Sequence, residues 1–230
     1  MKSIATFICS VVVTLGAELP NADQIAARIM EQEQDRQAAV GTYSYTSTYV
    51  LQNKERHAEM VVRWTRHADG VKEYVVLSEQ GDGGVRKHVF HRLLQAEVEA
   101  SAPEQQAQTR ITTSNYDFQL SSTEKVAGRD VFVIDIEPKS ESKYLTRGRI
   151  WVDACDYAVV RVEGAPAHKV SFWTKNVNFV QTFEKNGQWW LPASNHSLTD
   201  ARLFGLADLT IEYSDYQFVN PPAGSLLAAR

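Results

Sequence analysis

The segment RDVFVIDIEPKSESKYLTRGRIWVDACDYAVVRVE, residues 129–163, decides the fold of this chain. Its first run places three large apolar residues at alternate positions, which is the spacing of one buried face of a β-strand: Phe132, Ile134 and Ile136. The tight turn 153–156 then joins two further β-rich runs, 148–152 and 157–163. Consecutive strands joined by short turns pair antiparallel, so this segment predicts part of an antiparallel sheet.

Alternating runs continue on both sides of that segment. Asn186-Gly187 is a strong signal for a tight hairpin turn, and Gly205 divides the last β-rich region into two runs. We therefore predict about 10–11 strands in the whole chain. Outside residues 129–163, the predicted strands are 43–51, 60–64, 71–77, 116–120, 170–184, 188–191, 197–204 and 206–218.

Helical spacing of apolar residues occurs in two places. Residues 24–40 follow Asp23, a suitable N-cap, and end at Gly41. Residues 85–100 carry a second apolar stripe. The polar stretch 101–109 is predicted to be a poorly ordered linker. Because the helices are segregated from the strands, the expected fold is α+β, a large curved antiparallel sheet with helices covering one face.

The first 22 residues have the three-part pattern of a secretory signal peptide. A basic start precedes an apolar run, residues 4–15, which is too short for a membrane span of about 20 residues. Cleavage is expected after Ala17 or Ala22. We therefore expect an exported, soluble product without a stable membrane span, with one domain over residues 23–220 and a C-terminal tail over 221–230.

Charge and motifs narrow the function class. Twenty-four basic and 28 acidic side chains give a net charge of −4, which argues against a nucleic-acid partner. His88 and His91 could offer a metal two ligands, but no neighbouring residues complete a site, so no metal and no cofactor is expected. No nucleophile elbow is present, and Cys155 lies between two aspartates that disfavour a thiolate. We predict no catalytic residue and no enzymatic activity; a hydrolase with an unrecognised site is the competing class.

The order of short motifs in the second half resembles the outer-membrane lipoprotein carrier superfamily, which includes LolA-like and LolB-like proteins and regulators of the RseB/MucB type. In that family a strand leads into a Pro-Lys loop, a strand with Trp and Asp precedes a hairpin, and a later strand carries Leu-Pro. The matching stretches here are Gly128–Ile134, Glu137–Lys139, Arg149–Asp153, Val160–Gly164, Trp190–Pro192 and Ile211–Tyr216.

The resemblance implies an unclosed half-barrel whose helix-covered face encloses an apolar cavity in the periplasm. It implies a carrier or sensor of lipid or lipoprotein acyl chains, as in lipoprotein sorting. The alternative is an envelope-stress regulator type of module, which docks the extracytoplasmic tail of a membrane protein partner. No position matches the arginine on which the carriers depend, so lipoprotein shuttling itself is the less secure part of this interpretation.

Candidate site residues follow from the strand alternation and the two helical stripes. The face that borders the cavity is left open, because alternating aromatic strands also form plain packed cores. The cavity candidates are Met60, Val62, Trp64, Phe118, Leu120, Phe132, Ile134, Ile136, Ile150 and Val152. The candidates on the two lid helices are Ile25, Ile29, Val89 and Leu93.

Overall fold

A single open antiparallel sheet of ten strands organises the protein. The computed structural model describes residues 19–168, 174–201 and 205–219. The strand order is β3-β2-β1-β10-β9-β8-β7-β6-β5-β4, so β3 and β4 form the two edges and the sheet does not close into a barrel. The strands are β1 (Tyr43–Gln52), β2 (His57–Arg66), β3 (Lys72–Gly81), β4 (Tyr116–Val126), β5 (Arg129–Pro138), β6 (Thr146–Asp153), β7 (Val159–Pro166), β8 (Thr174–Asn186), β9 (Trp189–Ala201) and β10 (Gly205–Phe218).

This architecture confirms the predicted α+β half-barrel. The predicted strands 188–191 and 197–204 are instead parts of one strand, β9. The polar stretch between them also pairs with β8, and a β-bulge between Thr182 and Phe183 accommodates it. Residues 170–173 and 202–204 of the predicted strands lie outside the described residues. So do residues 1–18 of the predicted signal peptide and the predicted tail 221–230.

The first helix, α1 (Ala22–Val40), begins at a capping box. The Asn21 side chain accepts a hydrogen bond from the Gln24 backbone N–H at 2.9 Å, and the Asn21 backbone N–H donates to the Gln24 side chain at 3.0 Å. The prediction of Asp23 as the cap was wrong, since Asp23 lies in the first turn. Gly41 ends the helix, as predicted, with a φ of 66°.

The second predicted helix is divided in three: α2 (Gly83–Val85), a π-helical turn (Arg86–Phe90) and α3 (His91–Ser101). The prediction of a disordered linker after it was wrong, because α4 (Pro103–Thr109) follows. Pro103 occupies the first helical turn, where its missing N–H costs nothing. Gln106 fixes this helix by donating hydrogen bonds to the backbone oxygens of Asp69 and Ser101. No helix within the described residues is long and apolar enough to cross a membrane.

One row of cross-strand neighbours runs over the helix-covered face from edge to edge. Its members, in spatial order, are Leu120, Ile134, Ile150, Val162, Gln181, Asn195, Ile211, Tyr49, Met60 and Glu79. The row is apolar on both sides of the polar pair Gln181 and Asn195. On this face the core is accordingly divided into two packed clusters, and a third, small cluster of Val131, Val133, Trp151 and Val160 lies on the other face.

Cluster 1 joins β1, β2 and β10 to the second helical segment, through Trp64, Phe90 and Leu94, which are all fully buried. Cluster 2 joins strands β4 to β7 to α1, through Ile25 and Ile29. On this face, α1 therefore covers one half of the sheet and the helical residues 83–101 cover the other half.

Candidate ligand cavity

A cavity of about 720 Å³ lies between the two clusters, walled by α1 on one side and by α3 and α4 on the other. Its size is within the usual range for small-molecule pockets. Part of its wall is apolar and comes from both clusters and the segment after α4. These apolar residues are Ile29, Tyr43, Ile111, Tyr157, Val162 and Phe183.

The remainder of the wall carries charge. Arg36 and Glu33 of α1 form a bidentate ion pair, in which Nε and Nη2 of Arg36 lie 2.7 and 2.6 Å from the two carboxylate oxygens of Glu33. Across the cavity, the Lys72 ammonium lies 2.5 Å from a carboxylate oxygen of Glu97 on α3. The cavity is therefore amphipathic, not uniformly apolar as the family resemblance implied.

Burial and pairing set the protonation of these groups. Burial acts to lower the pKa of Lys72, but the attraction of Glu97 outweighs it and the pKa is raised. Arg36 behaves in the same way, because burial is outweighed by its bonds to Glu33. Burial raises the pKa of the Tyr45 and Tyr213 hydroxyls well above their ordinary value. At physiological pH the cavity wall therefore holds cationic Lys72 and Arg36, and the Tyr45 and Tyr213 hydroxyls in and against cluster 1 are neutral.

Arg66 and Arg110 complete the charged wall. Arg110 is exposed and donates to the Gln37 side chain of α1 at 3.1 Å, which ties the segment after α4 to α1. Arg66, at the end of β2, is only 8% exposed, and its guanidinium carbon lies 5.7 Å from the centre of the Tyr43 ring.

The structure places the sequence-predicted candidates mainly in the packed clusters, not on the cavity wall. Ile29 is the one candidate that lines the cavity. In cluster 1 lie Met60, Val62 and Trp64, with Val89 packed against them. In cluster 2 lie Ile25, Ile29, Phe132, Ile134, Ile136, Ile150 and Val152, with Phe118 and Leu120 packed against them. Leu93 is half-buried on α3.

These candidates share the helix-covered face, but helices pack directly on them. The cavity lies between the two helix-covered clusters. The sequence did contain a signal for the cavity. Met60, Val62, Trp64 and Arg66 alternate along β2, so a charged residue continues an apolar row. A charge at such a position indicates a boundary of the packed core.

Titratable groups elsewhere show no arrangement for metal binding. Within the described ranges, no group of three or more His, Cys, Asp and Glu side chains could hold a metal ion. His91 Nε2 instead lies 2.7 Å from a carboxylate oxygen of Glu79 on β3, and this contact attaches the start of α3 to the edge of the sheet. Cys155 is an exposed free thiol in the turn after β6.

Sequence comparison identifies one family. The model of the MucB/RseB N-terminal domain matches residues 85–168, which is less than half of the chain. This match confirms the resemblance that the motif order predicted. No curated protein matches the chain.

Structure comparison finds similar folds at low sequence identity, among them the following three. A DUF1329 family protein from Desulfovibrio piger has 13% identity and a TM-score of 0.47, over 88% of this chain and 95% of that one. A putative outer membrane lipoprotein-sorting protein domain from Vibrio parahaemolyticus has 15% identity and a TM-score of 0.44, over 85% and 94%. A LolA superfamily protein from Nitrosomonas europaea has 10% identity and a TM-score of 0.43, over 89% and 96%.

Proposed function

We propose that this protein is an exported, non-enzymatic binding protein that holds an acyl chain of a lipid or lipoprotein in the cavity between its two clusters. The observation that supports this function is the hollow itself. Two well-packed clusters flank a space of about 720 Å³ whose wall includes Ile29, Tyr43, Val162 and Phe183. The space opens to solvent, so a ligand can reach the apolar part of its wall without unfolding either cluster.

The energetics fit an acyl ligand. Each buried methylene is worth about 0.8 kcal/mol, so a chain of roughly 16 carbons withheld from water represents on the order of 12 kcal/mol. A protein that moves such a chain through water needs a concave apolar surface. The cavity supplies one, and its charged part offers a place for the polar end of an amphiphile.

Helix α1 is the natural lid. On the cavity side, three polar contacts join α1 to the opposite wall within the described residues: Arg110 donates to Gln37, the Thr113 hydroxyl lies 4.0 Å from the Met30 sulfur, and Arg36 interacts with the Tyr43 hydroxyl. Its C-terminal end is Gly41, whose φ of 66° is a conformation that glycine adopts without strain. We expect α1 to pivot about this end when a ligand enters, with Ile25 and Ile29 sliding over the strands of cluster 2.

A matched pair of substitutions on α3 tests the cavity. Ala100 lines the cavity, whereas Ala96, one helical turn earlier, is exposed. We expect Ala100→Trp to fill the space and weaken binding of the uncharged probe N-phenyl-1-naphthylamine by about tenfold or more, which corresponds to roughly 1.4 kcal/mol. Ala96→Trp should bind the probe as tightly as the unaltered protein does. Hexadecanoate should displace the probe from Ala96→Trp and from the unaltered protein.

A second blocking variant comes from the opposite wall. Val159 of β7 also lines the cavity, and Val126 at the end of β4 is exposed and far from it, so Val159→Trp and Val126→Trp form another pair. The thermal unfolding midpoint of every variant shows whether it folds. If the unaltered protein does not bind the probe, or if both blocking variants bind it normally, the proposed function is wrong.

Export to the periplasm is part of the proposal. It is supported by the signal-peptide pattern of the first 22 residues. Asn21 caps α1, so cleavage after Ala17 keeps the cap and cleavage after Ala22 removes it. We therefore expect the mature chain to start at Glu18, with residues 23–220 as one domain. N-terminal sequencing of protein from the native host's envelope tests this, and a chain that still begins at Met1 would contradict export with cleavage.

The second candidate function is that of an envelope-stress regulator type of module that docks the extracytoplasmic tail of a membrane protein. The family match to the MucB/RseB N-terminal domain favours it. A defined tail peptide that binds equally well to Ala100→Trp and to the unaltered protein would support docking independent of the cavity. A peptide whose binding is lost in Ala100→Trp would return the function to the cavity.

A further inference from the structure

The charged corner of the cavity is built around Arg66. Tyr43, Arg66 and Lys72 are direct cross-strand neighbours on β1, β2 and β3, so their side chains share the helix-covered face. All three line the cavity. Arg66 is more than nine-tenths buried, and the Tyr43 ring lies against its guanidinium group.

Among the described residues, Arg66 is the cation of this wall that is buried and yet has no carboxylate partner, since Arg110, which also has none, is exposed. Lys72 is paired with Glu97 and Arg36 with Glu33. Within the part of the chain that the structure describes, no Asp or Glu oxygen lies within 4.0 Å of Arg66. Its one hydrogen bond runs from Nη1 to the backbone oxygen of His67, at 3.2 Å.

A buried guanidinium carries five N–H donors and a permanent charge. Withdrawing such a group from water costs free energy unless a counter-charge and hydrogen-bond acceptors replace the lost hydration. The protein supplies one acceptor and no counter-charge. An anion in the cavity would supply both, and the planar fork of arginine suits a carboxylate or phosphate group.

The geometry points to an anion-recognition subsite at Arg66, by which the cavity selects an amphiphile with a carboxylate or phosphate group beside its acyl chain. This inference rests on the proposed function. The Tyr43 ring holds the guanidinium in place before the ligand arrives, so little side-chain freedom is lost on binding. The apolar wall around Ile29, Val162 and Phe183 receives the chain, and the Arg66 corner receives the head group.

Three amphiphiles with the same chain test the inference: dodecanoate, monododecyl phosphate and uncharged 1-dodecanol. Each is titrated against the protein loaded with N-phenyl-1-naphthylamine, below the concentration at which it forms micelles. We expect at least one anionic amphiphile to bind about 10- to 100-fold more tightly than 1-dodecanol, the range for a hydrogen-bonded charge pair. The ranking of dodecanoate and monododecyl phosphate shows which head group the subsite prefers.

Arg66→Gln should remove that preference, so that the two anionic amphiphiles bind no more tightly than 1-dodecanol. Arg66→Lys keeps the charge and should keep part of the preference. The matched control is Arg63→Gln, three residues earlier on the other face of β2 and outside the cavity wall. If Arg66→Gln does not fold, the comparison of the three amphiphiles with the unaltered protein and with Arg66→Lys decides.

Equal binding of all three amphiphiles by the unaltered protein would overturn the subsite while the proposed acyl binding stands. A preference for anions that survives in Arg66→Gln would also overturn it. If none of the three displaces the probe, the proposed function itself fails, and the subsite with it.

Discussion

The two ends of the sheet and its middle are built differently, although one row of neighbouring residues runs through all ten strands. Toward β4 the row reads Leu120, Ile134, Ile150 and Val162, and toward β3 it reads Ile211, Tyr49 and Met60. These stretches are apolar and each meets a helix. In the middle, Gln181 and Asn195 face the same side and hydrogen-bond to each other at 2.9 Å.

This difference explains why the protein has two clusters with a hollow between them. A helix lowers the free energy of folding where it covers apolar side chains. Amide side chains that satisfy each other across β8 and β9 gain little from such cover. The helices therefore settle over the two apolar ends, and the space between α1 and α3 stays unfilled.

The largest expected effects come from truncating the two clusters. Phe90 in cluster 1 and Ile134 in cluster 2 are fully buried. We expect Phe90→Ala to lower the free energy of unfolding by about 3–5 kcal/mol and Ile134→Ala by about 2–5 kcal/mol, because each leaves a cavity. Urea denaturation followed by fluorescence and circular dichroism measures both.

Because both clusters pack on one continuous sheet, each of these variants should still unfold in a single transition. Val75→Ala, at an exposed position of β3, is the control and should change the free energy of unfolding by less than about 0.5 kcal/mol. If either core variant leaves one part of the molecule unfolding at the original midpoint, the two ends are independent units and the comparison drawn here is wrong.

An intermediate effect is expected in the polar middle. The Gln181 amide donates to the Ser194 backbone oxygen at 2.9 Å and accepts from Asn195. Gln181→Leu should cost about 1–3 kcal/mol of unfolding free energy, because it leaves the Asn195 amide without its partner. Replacing both residues by Leu should cost less than the single change, and thermal unfolding of the four proteins of this cycle measures the coupling.

A double variant that is as unstable as the sum of the two single variants would mean that the amide pair is not what holds the middle together. The same double variant also sharpens the comparison. It makes the row apolar from Leu120 to Met60, and it should leave probe binding intact, because neither Gln181 nor Asn195 lines the cavity.

A smaller effect is expected at Asp153, at the start of the β6–β7 turn, which does not itself line the cavity. Burial acts to raise the pKa of the Asp153 carboxyl. The Arg129 guanidinium and the backbone N–H groups of Cys155 and Asp156 outweigh burial and lower that pKa to about 2. The folded pKa lies below the unfolded value of about 3.9, so the stabilisation is complete above pH 4 and is lost as the pH falls towards 2.

Asp153→Asn should therefore cost about 1–2 kcal/mol of unfolding free energy at pH 7 and flatten the loss of stability between pH 4 and pH 2. Asp117→Asn, at an exposed carboxylate, is the matched control. Urea unfolding across this pH range measures both. A pH profile for Asp153→Asn that matches the unaltered protein would show that another group causes the acid sensitivity.

The sequence predicted α1 and most of the strands, because period-2 and helical spacing are local signals, and the family resemblance implied the unclosed sheet. The sequence did not predict that α4 is helical. This helix is held in place by Gln106, whose side chain bonds to the backbone of Asp69 and Ser101, two residues that lie outside α4. The sequence grouped Phe132, Ile134 and Ile150 on cavity-candidate rows, but it left open which face borders the cavity and did not locate the hollow. The position of a hollow depends on where two helices end relative to one another, which no single strand pattern contains.

Native mass spectrometry of protein purified from the envelope of its own host tests the central claim most directly. The account predicts that the unaltered chain and Ala96→Trp carry a bound molecule with the mass of an acyl-containing lipid, and that Ala100→Trp carries much less. The proposed acyl binding would be contradicted if all three proteins are purified without a bound molecule and none of them forms an adduct after incubation with dodecanoate.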